Sequence, residues 1–331
     1  MRRHVALFAN VICKFGERDM IDYADTIVVP AFLNNTLIRS YGKTNFILHD
    51  VRFVTLDEVA RPPIVGLSGY FVKDTELSRE QLFDRREGLI KDSATMRSSP
   101  SAFFVLILNN HRLIYFPETT DAPNLDMFRA TVLWRLKKTR KAYVDSLYKR
   151  LSDDSSRITK KKLYEAHPVP TLDVIPVSGN EEIRSFIQRY QVLKKIDFRL
   201  VRTNDEIDGE EMFEEVRKYL GSDIDSKSTK IIVANPQGLD KDAAAERVAA
   251  ATATANQEVV LSGVDSEGNE LKGDNSAFRV SSPIDNVPTT RSGLTQNLFS
   301  VFQHLVESGV IRIGEQRRNI ADHIARLRDI F

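Results

Sequence analysis

The sequence predicts an α+β protein of two domains, a mostly antiparallel β-rich N-terminal domain and an α/β-layered C-terminal domain with terminal helices. The chain has 331 residues, which is more than one small core requires. Its first third consists of β-branched and aromatic runs separated by Asn, Gly, Pro and Asp, a pattern typical of strands and turns. Its second half alternates strand-like and helix-like segments, a pattern typical of a sheet covered by helices.

The predicted boundaries divide the chain into four parts. They are a β-rich domain at 1–122, a long basic amphipathic helix and linker at 123–168, an α+β domain at 169–290, and C-terminal helices at 291–331. The C-terminal helices are expected to pack either on the first domain or on a dimer partner.

Short apolar runs define the N-terminal domain, with strands expected at residues 4–12, 26–30, 45–56, 63–73, 101–108 and 111–116. Residues 101–108, SAFFVLIL, are apolar throughout and suit a central strand that is buried on both faces. Asn109 and Asn110 suit the positive φ angles of a tight hairpin. The charged residues 78–90 predict a short helix, and the polar residues 93–101 predict a loop.

A long amphipathic helix is predicted near Pro123, a residue that fits a first helical turn. Asp121 or Asn124 is available as its N-cap. Apolar residues at helical spacing indicate the face that packs on a core: Leu125, Phe128, Val132, Leu136, Tyr143, Leu147 and Leu151. Trp134 lies close to the edge of this apolar stripe, and Lys and Arg occupy the positions between.

The second half is predicted to follow the order β-α-β-α-β-α-β-β. Strands are expected at 171–177, 196–202 and 229–235, helices at 180–195, 209–220 and 240–255, and a hairpin with its turn at 267–269. Two further helices, at 294–308 and 314–331, each carry one apolar face.

Composition favours a protein of the reducing cytosol. Hydrophobic residues make up 42% of the chain and charged residues 28%, which is ordinary for a globular protein. Cys13 is the single cysteine, so an intrachain disulfide is impossible. No apolar run approaches the ~18 residues of a membrane span. We expect a cytoplasmic location, with recruitment to the inner face of the membrane only through a partner.

The sequence contains no motif that indicates catalysis. Phosphate-binding glycine loops, zinc-ligand spacings and histidine clusters are all missing from it. We predict no catalytic residue, no metal, no cofactor and no small-molecule substrate. Two alternatives stay open. One is a metal-dependent nuclease, for which Asp197 and Lys230 lie on predicted strands, and the other is a protein-interaction adaptor without DNA binding.

Residues 135–162 form a basic segment in an otherwise slightly acidic chain. They contain eleven Lys or Arg and three Asp, a net charge of +8, so the remainder carries −7 of the overall +1. Such a segment is either a solvated helix face or a surface that neutralises phosphates. The absence of interleaved stacking aromatics favours contact with a duplex backbone. The candidate contacts are Arg135, Lys137, Lys138, Arg140, Lys141, Lys149, Arg150, Lys160, Lys161 and Lys162.

The order of elements resembles the RexA-like phage-exclusion proteins of lambdoid prophages and related anti-phage defence proteins, including the DNA-binding subunit of Kiwa-type systems. The resemblance rests on three strings: SAFFVLILNNHRLIYFPETTDAP, LKKIDFRLVR and VVLSGVDSEGNELK. It implies a two-domain homodimer that binds double-stranded DNA without sequence preference and acts beside a small membrane-protein effector. The implied DNA contacts of the second domain are Lys194, Lys195, Arg199 and Arg202. The acidic run TNDEIDGEE after Arg202 departs from the family pattern and favours residues 135–162 instead.

Overall fold

The fold is α+β, as the sequence predicts, with two antiparallel sheets and helices packed on both. The computed structural model describes residues 4–153, 158–201, 203–204, 215–216, 219, 229–314 and 320–331. Of the two sheets, one has ten strands and the other has four. The predicted helix at 209–220 lies largely outside the described residues.

The ten-stranded sheet has a central path in the order β14-β1-β8-β7-β5-β4-β3, with β2 and β9 paired to β1 and β6 paired to β5. Its strands are β1 (Val5–Phe15), β2 (Arg18–Asp19), β3 (Arg39–Tyr41), β4 (Thr44–Asp57), β5 (Ile64–Asp84), β6 (Gly88–Ser98), β7 (Ser101–Ile107), β8 (Arg112–Pro117), β9 (Pro170–Pro176) and β14 (Ser281–Pro283). Two of these strands, β9 and β14, come from the region that the sequence assigns to the second domain.

Helices cover both faces of the first sheet. The helices are α1 (Val29–Leu33), α2 (Leu125–Asp153), α3 (Lys160–Ala166), α6 (Arg291–Glu307) and α7 (Ala321–Ile330). Phe104 of β7 packs on the side of α2, where its ring lies 5.2 Å from the ring of Phe128, whereas the adjacent Phe103 packs in the core beneath α6. Because alternate side chains of β7 face opposite cores, the strand is apolar throughout.

The C-terminal helices return to the first sheet. Ile324 and Leu327 of α7 are buried in the core beside α2, and Arg326 forms an ion pair with Asp25. Phe302 of α6 packs beneath the sheet in the opposite core. The described residues of both helices thus pack on the first sheet of their own chain.

The sequence prediction of a helix at 78–90 and a loop at 93–101 is wrong. Most of these residues belong instead to β5, which ends at Asp84, and to β6 (Gly88–Ser98), which extend beyond the sheet as a two-stranded arm. Leu82 and Leu89, seven residues apart, fit one face of a helix, but Leu77 and Phe83, six residues apart, fit one side of a strand. Gly88, with a φ of 76°, closes the turn in a conformation that favours glycine.

Residues 26–30 were predicted as a strand and are helical instead. A π-turn at Ala24–Val28 runs directly into α1, with Pro30 in its first turn. Proline is compatible with the start of a helix because its missing N–H has no intrahelical partner there. In the hairpin between β7 and β8 the positive φ falls on His111, at 57°, rather than on the two asparagines.

The four-stranded sheet runs in the order β11-β10-β12-β13 and has helices on one face. Its elements are α4 (Asn180–Gln188), β10 (Tyr190–Leu200), β11 (Thr229–Ala234), α5 (Lys241–Thr252), β12 (Gln257–Asp265) and β13 (Glu270–Asp274). The hairpin predicted around 267–269 is confirmed, with Asp265 accepting hydrogen bonds from the backbone of Glu267 and Asn269. The predicted helix at 180–195 is shorter because β10 begins at Tyr190.

Candidate nucleic-acid interface

The helix α2 presents one apolar side to the first sheet and one basic side to solvent. Phe128, Val132 and Leu136 are buried in the core against the sheet, and Val144 is buried further along the helix. Asn124 caps the helix, since its side chain accepts a hydrogen bond from the backbone N–H of Met127 at 2.9 Å. The amphipathic helix and one of its two predicted caps are therefore confirmed.

Four lysines occupy the solvent side of α2. Lys137, Lys138, Lys141 and Lys149 are exposed and fall within about one third of the helix circumference at 3.6 residues per turn. None of them has a carboxylate within ion-pair distance among the described residues. Arg150 is also exposed, but it lies about 100° around the helix from Lys149.

The short helix α3 adds three lysines beside the second half of α2. Tyr164 of α3 donates a hydrogen bond to Asp145 of α2 at 3.1 Å, and Lys160 Nζ lies 2.7 Å from the same carboxylate. The hydrogen bond from Lys160 lowers the pKa of the Asp145 carboxyl. We define the lysine face as the exposed lysines of both helices: Lys137, Lys138, Lys141, Lys149, Lys160, Lys161 and Lys162.

The lysines of α3 lie at the wrong end of the helix for stability. Lys160, Lys161 and Lys162 occupy its first turn, where the helix dipole favours negative charge. Lys161 is 3.9 Å from Glu165, an exposed pair that contributes little. Three cations at this position are unfavourable in the isolated chain, and an anion beside them would offset that cost.

Two arginines predicted to contact DNA are structural instead. Arg135 is 1% exposed, and its guanidinium donates hydrogen bonds to four backbone carbonyls around the end of α1: those of Ala31, Phe32, Asn34 and Leu37. Burial lowers the pKa of Arg135 to about 10. Arg140 is 8% exposed and donates to the carbonyls of Tyr164 and His167, which attaches α3 to α2. Neither group is available to a phosphate.

One aromatic side chain of the lysine face was missed at the sequence level. Trp134 lies on the same side of α2 and is partly exposed, with Lys138 Nζ 5.7 Å from the centre of its ring. Its helical spacing from Lys138 and Lys141, four and seven residues, was the available signal. An indole packed beneath a lysine stem restrains that stem and keeps its ammonium group outward.

The strand cations are in a different environment. Lys195 and Lys230 lie 2.9 and 3.1 Å from the carboxylate of Asp197, which is 8% exposed. Lys194 is exposed. Asp197 and Lys230, the two residues of the alternative nuclease hypothesis, therefore form an ion pair with each other.

Arg199 joins the two sheets rather than facing solvent alone. Its guanidinium lies 2.6 Å from Glu258 of β12 and 4.0 Å from Asp173 of β9. The first-sheet strand β9 is thereby linked to the second sheet. Arg202, the fourth predicted strand contact, lies outside the described residues.

A cleft of about 510 Å³ lies near the start of α2, between the two sheets. Three carboxylates line it, those of Asp126, Glu258 and Asp274, together with one cation, Arg279. This balance of charge is unsuited to a phosphate backbone, so the lysine face is the better candidate for a nucleic-acid surface.

Cys13 and His111, whose side chains could in principle take part in chemistry, are each buried in the protein interior. Burial raises the pKa of the Cys13 thiol to about 12 and lowers the pKa of His111 to about 3. Among the described residues, no three His, Cys, Asp or Glu side chains are grouped closely enough to hold a metal ion. No helix in the described part of the chain has the length and apolar character needed to cross a membrane.

Comparison with protein families finds a match over residues 27–299 to the family described as "Domain of unknown function (DUF4747)". A search of curated proteins finds no match. The matched range starts just before α1 and ends within α6, so α2, α3 and the whole lysine face lie inside it.

Proposed function

We propose that this chain, which belongs to the DUF4747 family, binds double-stranded DNA through its lysine face without reading the base sequence. The observation that carries the proposal is the grouping of seven exposed lysines on two adjoining helices, where the side chains that the structure describes include two carboxylates beside them, Asp145 and Glu165. The net charge of this group is +5. Lysines act as mobile point charges that suit phosphates, and contacts to phosphates carry no direct information about the base sequence.

The dimensions of the lysine face fit a duplex backbone. Lys137 and Lys149 are twelve residues apart, about 18 Å along the helix axis at 1.5 Å per residue. One turn of duplex spans about 34–36 Å, so this length covers about half a turn and meets the phosphates that face the helix there. Three of the four helical turns in this span carry a lysine and Asp145 lies in the other, so lysines spaced along the helix can approach several phosphates of the duplex.

The proposed biological role is anti-phage defence. The resemblance to RexA-like proteins supports a homodimer that senses phage DNA or its complexes and signals to a small membrane-protein effector. Plaque counts on cells that carry the chain with its neighbouring genes test this role. Protection that is lost when the lysine face is replaced by glutamate agrees with it, and protection that persists contradicts the link between defence and DNA binding.

Fluorescence anisotropy with two unrelated duplexes of equal length tests the binding itself. We expect micromolar dissociation constants that differ by less than about threefold between the duplexes. With about five phosphates neutralised, the logarithm of affinity should fall with a slope near −4.5, or about 500-fold between 50 and 200 mM salt. Absence of binding at 50 mM salt would contradict the proposal. A plasmid incubated with Mg²⁺ or Mn²⁺ should stay intact, and its cleavage would favour the nuclease alternative.

A further inference from the structure

Trp134, the single tryptophan of the chain, lies outside the three hydrophobic cores. Its neighbours Leu133 and Leu136 pack in or against the core beneath α2, whereas Trp134 is partly exposed on the side that carries the lysines. A tryptophan contributes most to stability when its whole ring is buried in a core. Packing within the chain therefore does not account for a tryptophan at this position.

Trp134 occupies the middle of the lysine face around the circumference of α2. At about 100° per residue, Lys138 lies about 40° to one side of it and Lys141 about 20° to the other. Lys137 and Lys149 lie about 60° away on opposite sides. The ammonium nitrogen of Lys138 is 5.7 Å from the centre of the indole ring. A phosphate held by Lys138 therefore also comes close to the indole.

The indole N–H of Trp134 is a donor without an acceptor in the described part of the chain. Neither a carbonyl nor a side chain there accepts a hydrogen bond from Nε1, and the group is open to solvent rather than buried. Tryptophan is favoured at interfaces because one edge of its apolar ring carries this polar N–H. Trp134 thus presents a neutral hydrogen-bond donor among ammonium groups.

The indole also differs from the surrounding lysines in rigidity. A lysine is a flexible stem that ends in a compact charge, whereas a tryptophan has two side-chain torsions and a planar ring. Contacts to the phosphate backbone set the position of a protein on a duplex without reading its bases. A donor on a rigid ring fixes that position more closely than a mobile ammonium group does.

We propose that Trp134 is a phosphate contact of the lysine face, where its indole N–H donates a hydrogen bond to a phosphate oxygen beside Lys138. This assignment rests on the proposed binding of double-stranded DNA. The face of the ring packs on Lys138, and its N–H edge meets the DNA backbone. Because the indole is uncharged, its contact releases no counterion and adds affinity without adding to the salt dependence.

Quenching of tryptophan fluorescence tests the proximity of the indole to DNA directly, since the chain has one tryptophan. Acrylamide is a neutral quencher that duplex DNA does not repel. Saturating duplex should lower its quenching constant at least about twofold, because a packed contact excludes solvent. The variant with Lys137, Lys138, Lys141 and Lys149 replaced by Glu should show no such protection at the same DNA concentration. An indole equally accessible with and without bound duplex overturns the proposal.

Trp134→Phe removes the N–H donor and keeps an aromatic ring beside Lys138. We expect duplex affinity to fall about fivefold, since one hydrogen bond to a charged group is lost, while the slope against salt stays unchanged. Tyr219→Phe is the matched control. It removes one polar hydrogen from a ring that is 75% exposed outside the lysine face, and it should leave affinity and slope unchanged.

Trp134→Ala distinguishes the donor from the support that the ring gives to Lys138. It removes both, so its loss of affinity should exceed that of Trp134→Phe. Full affinity in Trp134→Phe, with a loss only in Trp134→Ala, would show that the ring positions Lys138 without touching DNA, and it overturns the proposal. The quenching measurement uses the wild-type chain, so it holds whatever a substitution does to folding.

These outcomes are separable from those for DNA binding itself. Anisotropy of a labelled duplex with the wild-type chain reports binding without reference to Trp134. Duplex binding with an unprotected indole and with full affinity in Trp134→Phe overturns the tryptophan contact and leaves the proposed function intact. Absence of duplex binding by the wild-type chain overturns both.

Discussion

The cations of helix α2 and those of strand β10 look equivalent in the sequence, but the fold gives them different surroundings. On α2, Lys137, Lys138 and Lys141 are exposed, and none has a carboxylate within ion-pair distance in the described part of the chain. On β10, Lys195 and Arg199 are held by carboxylates of their own sheet or its neighbour. A charge already compensated within the chain gains little from a phosphate, because the existing partner must first be displaced. The number of cations without a carboxylate partner, rather than the total number of cations, therefore indicates which surface can bind phosphates.

The largest effect is expected from reversing the charges of α2. Replacing Lys137, Lys138, Lys141 and Lys149 by Glu should reduce duplex affinity at least about 100-fold at 50 mM salt, since most of the phosphate contacts become repulsive. All four side chains are exposed, so the melting temperature should change little. Anisotropy and thermal unfolding measured on the same sample check both parts.

A control with the same charge change sharpens that result. Lys43, Lys91, Lys194 and Lys272 are also exposed but lie outside the lysine face. Replacing these four by Glu should cost less than about fivefold in affinity through the long-range field alone. If the control loses as much affinity as the α2 variant, binding follows overall charge and the distinction between the two regions fails.

The second-largest effect is expected on stability. It distinguishes a buried cation of α2, Arg135, from an exposed one, Lys137. Arg135→Leu removes the donor for four backbone carbonyls around the end of α1 and should lower the free energy of unfolding by about 4 kcal/mol. Lys137→Leu, two residues along, should change it by less than about 0.5 kcal/mol. Urea unfolding measures both values. Equal effects would show that the guanidinium of Arg135 does not hold the loop after α1.

Sequence reasoning recovers the long helix because its signals agree. Phe128, Val132 and Leu136 recur at helical spacing, and Asn124 supplies the cap. It cannot separate Arg135 from Lys137, since which cation is buried depends on carbonyls of α1 that lie about 100 residues away in the chain. The strand ion pairs around Asp197 are hidden for the same reason, because Lys230 comes from a different strand.

The arm shows a different limit. Leu82 and Leu89 are seven residues apart, which fits one face of a helix, whereas Leu77 and Phe83 are six apart, which fits one side of a strand; the charged residues between them favour helix. The decisive features are the turn at Gly88 and the bulge opposite Arg79, and neither has a strong local signature. Residues 75–84 form a strand because they pair with residues 88–98. The pattern of either segment alone does not show this pairing.

A smaller effect is expected at the strand cations, and it depends on pH. Burial alone raises the pKa of Asp197, but hydrogen bonds from Lys195 and Lys230 outweigh burial and leave the pKa below its ordinary value. A carboxyl with a lowered pKa adds stability above the pKa of the unfolded chain, about 3.9, and loses it as the pH falls through the folded value. Asp197→Asn should therefore destabilise the protein by roughly 1–2 kcal/mol at pH 7 and by progressively less below pH 4.

Unfolding by urea at several pH values between 3 and 7 measures this difference. A gap between wild type and Asp197→Asn that stays constant down to pH 3 would show that the carboxylate charge is not what holds the two lysines. Lys195→Met provides the matching test from the other side of the pair, and it should reproduce part of the loss at pH 7 only.

The smallest effect compares one lysine from each region. Lys138→Glu should weaken duplex binding about fivefold and reduce the salt slope by about 1, since one phosphate contact is lost. Lys194→Glu makes the same charge change on β10 and should cost less than about twofold, with the slope unchanged. Anisotropy over four salt concentrations resolves both quantities. A reduced slope for Lys194→Glu would place the strand at the DNA after all, because only a cation that displaces counterions contributes to that slope.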